Sequence, residues 1–208
     1  MKKLFLLILL GLFATQTAVN AQKIEDVFNS DDLVWFGLDF SHAKMIDPEG
    51  FSNPAQIVQG FFRSWNNIVV NEPNRYDLKQ SFRKRTVSND LSIVTPRNSQ
   101  VDPSTLVLED YETHELSEEI VRDIIKEYDS DKSGLGLVFV VESFNKVTDL
   151  GTMYVTFFDI ETRVVFFTKK ISGETGGFGL RNYWARTIRN VIEEAGEQYS
   201  GWRREYMD

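Results

Sequence analysis

Three strand-like runs follow one another closely in the second half of the chain, over 136–144, 152–160 and 163–171, all rich in Val, Phe and Thr. Only Glu161 and Thr162, or a slightly longer turn, separate the last two. So short a link joins antiparallel neighbours, because a parallel return needs a crossover of roughly a dozen residues or more. The spacing therefore predicts a late β-hairpin within a sheet whose apolar side chains need cover from helices.

The rest of the chain supplies that cover. Residues 33–42 alternate, with Val34, Phe36, Leu38 and Phe40 predicted on one face and Trp35, Gly37 and Asp39 on the other. Asn53 and Pro54 open a segment in which Ile57, Val58, Phe61, Phe62, Trp65, Ile68 and Val69 recur at helical spacing. It stops at Asn71, Glu72, Pro73 and Asn74. The polar stretch 76–103 reads as a short helix ending in Arg83, Lys84 and Arg85, then a strand near 91–95. Ser117 caps a second clear helix, with Glu118 and Glu119 at its positive end and Ile120, Val121, Ile124, Ile125 and Tyr128 as its stripe. A glycine-rich connection over 173–179 leads into a last helix over 180–199, which turns Tyr183, Trp184, Ile188, Val191, Ile192 and Ala195 inward. The predicted fold class is α/β: one mixed sheet packed with helices, in the order strand, helix, mixed middle, helix, three strands, helix.

Lys2 and Lys3 precede an apolar run from Leu4 to Phe13, and Val19 and Ala21 have the small-residue spacing of a signal-peptidase site. The expectation is a signal peptide over 1–21, cleaved after Ala21, and one mature domain over 22–208 that is periplasmic or secreted. Removing the leader changes the net charge from −8 to −10, because it takes two lysines and no acid. Such an acidic chain is a poor partner for nucleic-acid phosphates. With no cysteine, disulfides, thiolate metal sites, a cysteine nucleophile and a lipid anchor are excluded. The expectation is no membrane span, no lipid anchor, no nucleic acid and no cofactor.

No catalytic constellation stands out. Asp129, Ser130, Asp131, Ser133 and Gly134 match the opening of a calcium loop, but Val140 stands where its anchoring Glu belongs, so the segment reads as a helix-to-strand turn. His42 and His114 do not form a zinc-protease motif, and no nucleophile elbow or phosphate loop is present. Asp39, Glu142 and Asp159 are carboxylates set in apolar strands. Asp159 fits the start of the hairpin turn, while Asp39 and Glu142 fit strand ends paired with Lys146 or Arg181, or the acid and base of a glycan hydrolase. The glycine-rich connection leads into Arg181, Asn182 and Trp184 at a helix start, which suits a tight turn or an anion contact. Glu142, Lys146, Arg181, Asn182, Trp184 and Asp39 are thus the candidate binding residues, with none assigned to catalysis or metal.

Phe36 to Ser41, Glu142 to Lys146, Phe157 to Ile160 and Gly177 to Trp184 together resemble a family of uncharacterised exported proteins of Gram-negative bacteria. The element order and the hairpin from Tyr154 to Val165 are more distantly similar to the periplasmic domains of CsgG, LpoB and the TolB N-terminus. That resemblance implies a non-enzymatic module of envelope assembly that works through a protein partner. It departs at Arg163, where those hairpins often carry glycine. The expected function is an exported binding or assembly module, with a peptidoglycan-directed or other carbohydrate-active hydrolase and a small-ligand binder as alternatives.

Overall fold

The computed structural model describes residues 24–207; the expected leader and its cleavage site lie outside the described residues. In chain order the elements are α1 (Ile24–Asn29), β1 (Asp32–Asp39), β2 (Lys44–Ile46), α2 (Pro54–Gln56), a π-helical stretch (Ile57–Phe61), α3 (Phe62–Asn71), α4 (Leu78–Ser81), β3 (Thr86–Asn89), α5 (Val94–Ser99), a 3-10 turn (Pro103–Thr105), β4 (Val107–Leu108), α6 (Glu118–Lys126), β5 (Leu135–Asn145), β6 (Leu150–Asp159), β7 (Val165–Glu174) and α7 (Leu180–Met207). The seven strands form one mixed sheet.

The organising strand is β5. Its first half pairs in parallel with β1 and its last three residues with β2, so these two short strands lie end to end along one edge. Outside them, β3 pairs in parallel with β1 and β4 with β2. The other edge of β5 pairs antiparallel with β6, which pairs antiparallel with β7. The carboxyl ends of β2, β4, β5 and β7 therefore leave the same end of the sheet.

Two apolar clusters cover the two faces. The larger lies under α3, α4 and α7, and takes Trp35 and Leu38 from β1, Phe40 just after it, and Leu137, Phe139 and Phe144 from β5. The smaller lies under α6 and takes Phe36, Val138, Val140 and Phe158. This corrects the predicted faces of β1. The alternation breaks at Gly37, where the register with β5 shifts and φ is +99°, so Leu38 and Phe40 join the face of Trp35 while Asp39 joins that of Phe36. Only glycine fits here, since a Cβ would stand 2.4 Å from Asn66 Oδ1 as well as in a strained backbone region.

Beyond Trp35, no strand among the described residues pairs with the outer edge of β1. Two buried carboxamides stand there instead. Asn66 accepts from Leu38 N at 2.7 Å and donates to Leu38 O at 3.1 Å; Asn98 accepts from Phe40 N at 2.6 Å and donates to Leu38 O at 2.9 Å. A carboxamide carries the same donor and acceptor as a peptide group, so the pair satisfies the backbone as a neighbouring strand would.

The helix starts follow local chemistry. Asn53 accepts from Gln56 N at 3.1 Å, with Pro54 at the first helical position, and Ser117 accepts from Ile120 N at 3.2 Å. Ile120 itself is exposed, so the stripe of α6 is Val121, Ile124 and Ile125, continued by Tyr128. The polar middle differs from expectation. Its strand is Thr86–Asn89, and 91–95 lies in the turn and first residues of α5, because the Asp90 carboxylate accepts from both Ser92 N and Ser92 Oγ and ends the strand. The last helix continues past 199, burying Tyr199 and Trp202.

Candidate functional site

The six candidate residues separate across the sheet. Trp184 is interior, stacked on Phe144 at 4.5 Å and on Phe51 at 5.3 Å between ring centroids. Asp39 and Glu142 lie on the opposite face, that of the smaller cluster, while Lys146, Arg181 and Asn182 border the connection between β7 and α7. The expected pairing of Asp39 and Glu142 with Lys146 or Arg181 does not occur, because Asp39 pairs with Arg97 and Glu142 with Lys170.

Both buried carboxylates are fully engaged. Asp39 Oδ1 accepts from Ser41 N at 2.8 Å, and Oδ2 accepts from Arg97 Nε at 3.0 Å and the Tyr128 hydroxyl at 2.9 Å. Arg97 continues to Glu127 at 2.8 Å and to Ser41 Oγ at 3.3 Å. Asp39 thereby ties the end of β1 to α5 and to the end of α6. Its hydrogen bond and charge, together with burial, push the Tyr128 hydroxyl well above its ordinary pKa, with burial the largest cause.

Glu142 Oε2 accepts from Leu116 N at 2.8 Å, and Oε1 pairs with Lys170 at 2.9 Å. The Tyr154 hydroxyl donates to the Leu116 carbonyl beside it. Nearby, His114 Nε2 lies 2.9 Å from the His42 carbonyl, and burial holds its pKa below the ordinary histidine value. These contacts clamp the irregular segment before α6 onto the sheet. Asp159 does the same for the hairpin: Oδ1 accepts from Thr162 N at 2.6 Å and Thr162 Oγ1 at 2.7 Å. Arg163 occupies the left-handed position of that turn, at φ +60°, and pairs with Asp129 at 2.8 Å. That contact uses a carboxylate of the calcium-like segment to hold two turns together.

The end of the sheet where β5 and β7 finish is built differently. Asn145 Oδ1 accepts from Val147 N and Thr148 N, folding the turn between β5 and β6. Lys146 donates to Asp149 at 2.6 Å and to the Tyr183 hydroxyl at 2.7 Å, and these bonds raise the lysine pKa and lower that of Asp149. Thr175 N donates to the Asp149 carbonyl at 3.0 Å, joining this turn to the glycine-rich connection.

That connection is pinned along its length. Gly176 N donates to Tyr183 O at 3.2 Å, Tyr183 N to Gly179 O at 3.0 Å, and Asn182 Nδ2 to Phe178 O at 3.3 Å. Gly177 and Gly179 take φ of +108° and +77°. Between them Phe178 is 94% exposed. Val147, on the neighbouring turn, and Tyr111, three residues after β4, are also exposed. Phe178 was not among the candidate residues; its signal is a single aromatic residue set between glycines where no stripe calls for one.

No helix among the described residues is long and apolar enough to cross a membrane, and no group of acidic and histidine side chains among them is arranged to hold a metal. No family model matches the chain, and no curated protein matches it.

Proposed function

We propose that this protein is a non-enzymatic binding module of the bacterial cell envelope, which engages a protein partner through the end of the sheet that carries Phe178. The exposure of Phe178 on a pinned loop carries the reading. Leaving a whole phenylalanine side chain in water forgoes roughly 1.5–3 kcal/mol of burial. A loop already held by hydrogen bonds loses little freedom on binding, so much of that burial becomes available to a complex. The leader-like residues 1–21 and the resemblance to periplasmic assembly domains support the envelope setting.

The hydrolase alternative draws no support from Asp39 and Glu142. Both oxygens of each carboxylate are engaged, and the side chains are buried beneath loops that they hold in place. An acid and base pair needs access to substrate and water.

A photo-cross-linking phenylalanine analogue at position 178, activated in intact envelopes, tests the proposal by mass spectrometry of the adducts. The expected result is one protein adduct, whose complex with the unmodified protein is lost in Phe178→Ser at unchanged thermal midpoint. Absence of a protein adduct, or full recovery of the same complex with Phe178→Ser, would overturn it.

A further inference from the structure

A second surface feature is independent of Phe178. The exposed side of α3, together with Arg181 at the start of α7, forms an open groove of about 400 Å³ lined by Gly60, Arg63, Ser64, Asn67, Asn71 and Arg181. Of the twelve arginines, all among the described residues, six pair with a carboxylate: Arg75, Arg85, Arg97, Arg122, Arg163 and Arg189. Arg63, Arg83, Arg181, Arg186, Arg203 and Arg204 do not, and two of these, Arg63 and Arg181, share the groove. Arg181 donates to Ser64 Oγ at 2.8 Å and to Asn182 Oδ1 at 3.1 Å, both neutral, and the Arg63 guanidinium makes no hydrogen bond or ion pair with the described residues. The one carboxylate in the groove, Glu72, is paired with Arg75 at 3.3 Å.

We infer that this groove binds a phosphate ester of a small polyhydroxylated molecule. Two guanidinium groups without carboxylate partners supply forked donors suited to phosphate oxygens. Ser64 Oγ accepts from Arg181 and keeps its own proton to donate outward, which gives a third direction of donation suited to a tetrahedral group. Asn67 and Asn71, one turn apart on the same side of α3, offer carboxamides that both donate to and accept from hydroxyls. A Cβ at Gly60 would meet nothing within 4 Å, so a larger side chain can be set at the groove there without a clash.

The probe is glucose 6-phosphate, titrated into the folded chain and followed by the NMR signals of the arginine side chains and carboxamides. Glucose, glucuronate and inorganic phosphate form the other arms. The expected result is saturable change at Arg63, Arg181, Asn67 and Asn71, with affinity about tenfold lower in Arg63→Gln and in Arg181→Gln. Gly60→Leu, which fills the groove without altering a charge, weakens binding as well, and Phe178→Ser leaves it unchanged. Circular dichroism melts check that each variant folds. Glucose 6-phosphate without saturable effect, or bound equally by the two arginine variants, would overturn the inference. So would glucuronate or inorganic phosphate bound as tightly as the ester.

Discussion

The two faces of the sheet are held by different means. Under α3, α4 and α7 the packing is aromatic: Phe40 stacks on Phe62 at 4.2 Å, and Phe144 lies between Trp65 and Trp184. On this face the indole nitrogens of Trp35 and Trp184 stay buried without a partner. Under α6 the apolar cluster is smaller, its main helix has nine residues, and the irregular stretch before that helix brings backbone polar groups to the sheet. There Asp39 and Glu142 hold the cover with hydrogen bonds and ion pairs. A long amphipathic helix covers a sheet by area alone, whereas a loop must have its amides satisfied as well.

The contrast is best tested by breaking each face in its own way. Trp184→Ala should cost about 3–5 kcal/mol in denaturant unfolding, whereas Trp184→Phe, which gives up no hydrogen bond, should cost less than about 1.5 kcal/mol. If the two substitutions cost the same, the aromatic face is not held by volume. On the other face, Asp39→Ala strands the Tyr128 hydroxyl and most of the Arg97 pairing, for an expected loss of about 3 kcal/mol. A loss below roughly 1 kcal/mol would mean that the clamp is ornamental.

Gly37→Ala should cost about 2 kcal/mol or more, through a strained φ and approaches of 2.4 Å to Asn66 and 2.6 Å to Leu91, and Asn66→Ala in the same chain should relieve only the first of those approaches. The next effect depends on pH. Lys84 is buried, donates to the carbonyls of Val27 and Ser30, and has its pKa lowered by burial to about 8. Between pH 8 and the lysine's ordinary value of 10.5 the unfolded chain holds this proton and the folded chain has released it, so stability should rise with pH across that window. Unfolding midpoints at successive pH values check this, and Lys84→Met should flatten the rise. The smallest effect is expected at Phe178→Ser, within about 0.5 kcal/mol, since that side chain packs against nothing.

How much of this could be read in advance depended on the range of the interactions. The start of α6 was legible because Ser117 and the glutamates after it act within one turn. The faces of β1 are legible only as far as Gly37, because the bulge there shifts every later side chain while the apolar alternation in the sequence runs on unbroken. Thr86–Asn89 escaped because an edge strand with little burial has no apolar period to show. Of the site, the glycine-rich connection was visible as unusual, and Arg181 and Asn182 do border the exposed surface. Arg63, 118 positions before Arg181, had no local signal. Glu142 gave no hint of Lys170, which meets it across two strands.

Asn66 and Asn98 have an effect that reaches beyond the single molecule. An unpaired strand edge offers a template on which a second chain can extend the sheet, and repetition of that step builds aggregates. Here Leu38 N, Leu38 O and Phe40 N are already taken by the side chains of Asn66 and Asn98, and the Phe40 carbonyl accepts from Ala43 N. The two carboxamides thus act as a plug, leaving that stretch of edge with no free backbone group on Leu38 and no free Phe40 N to offer a second chain.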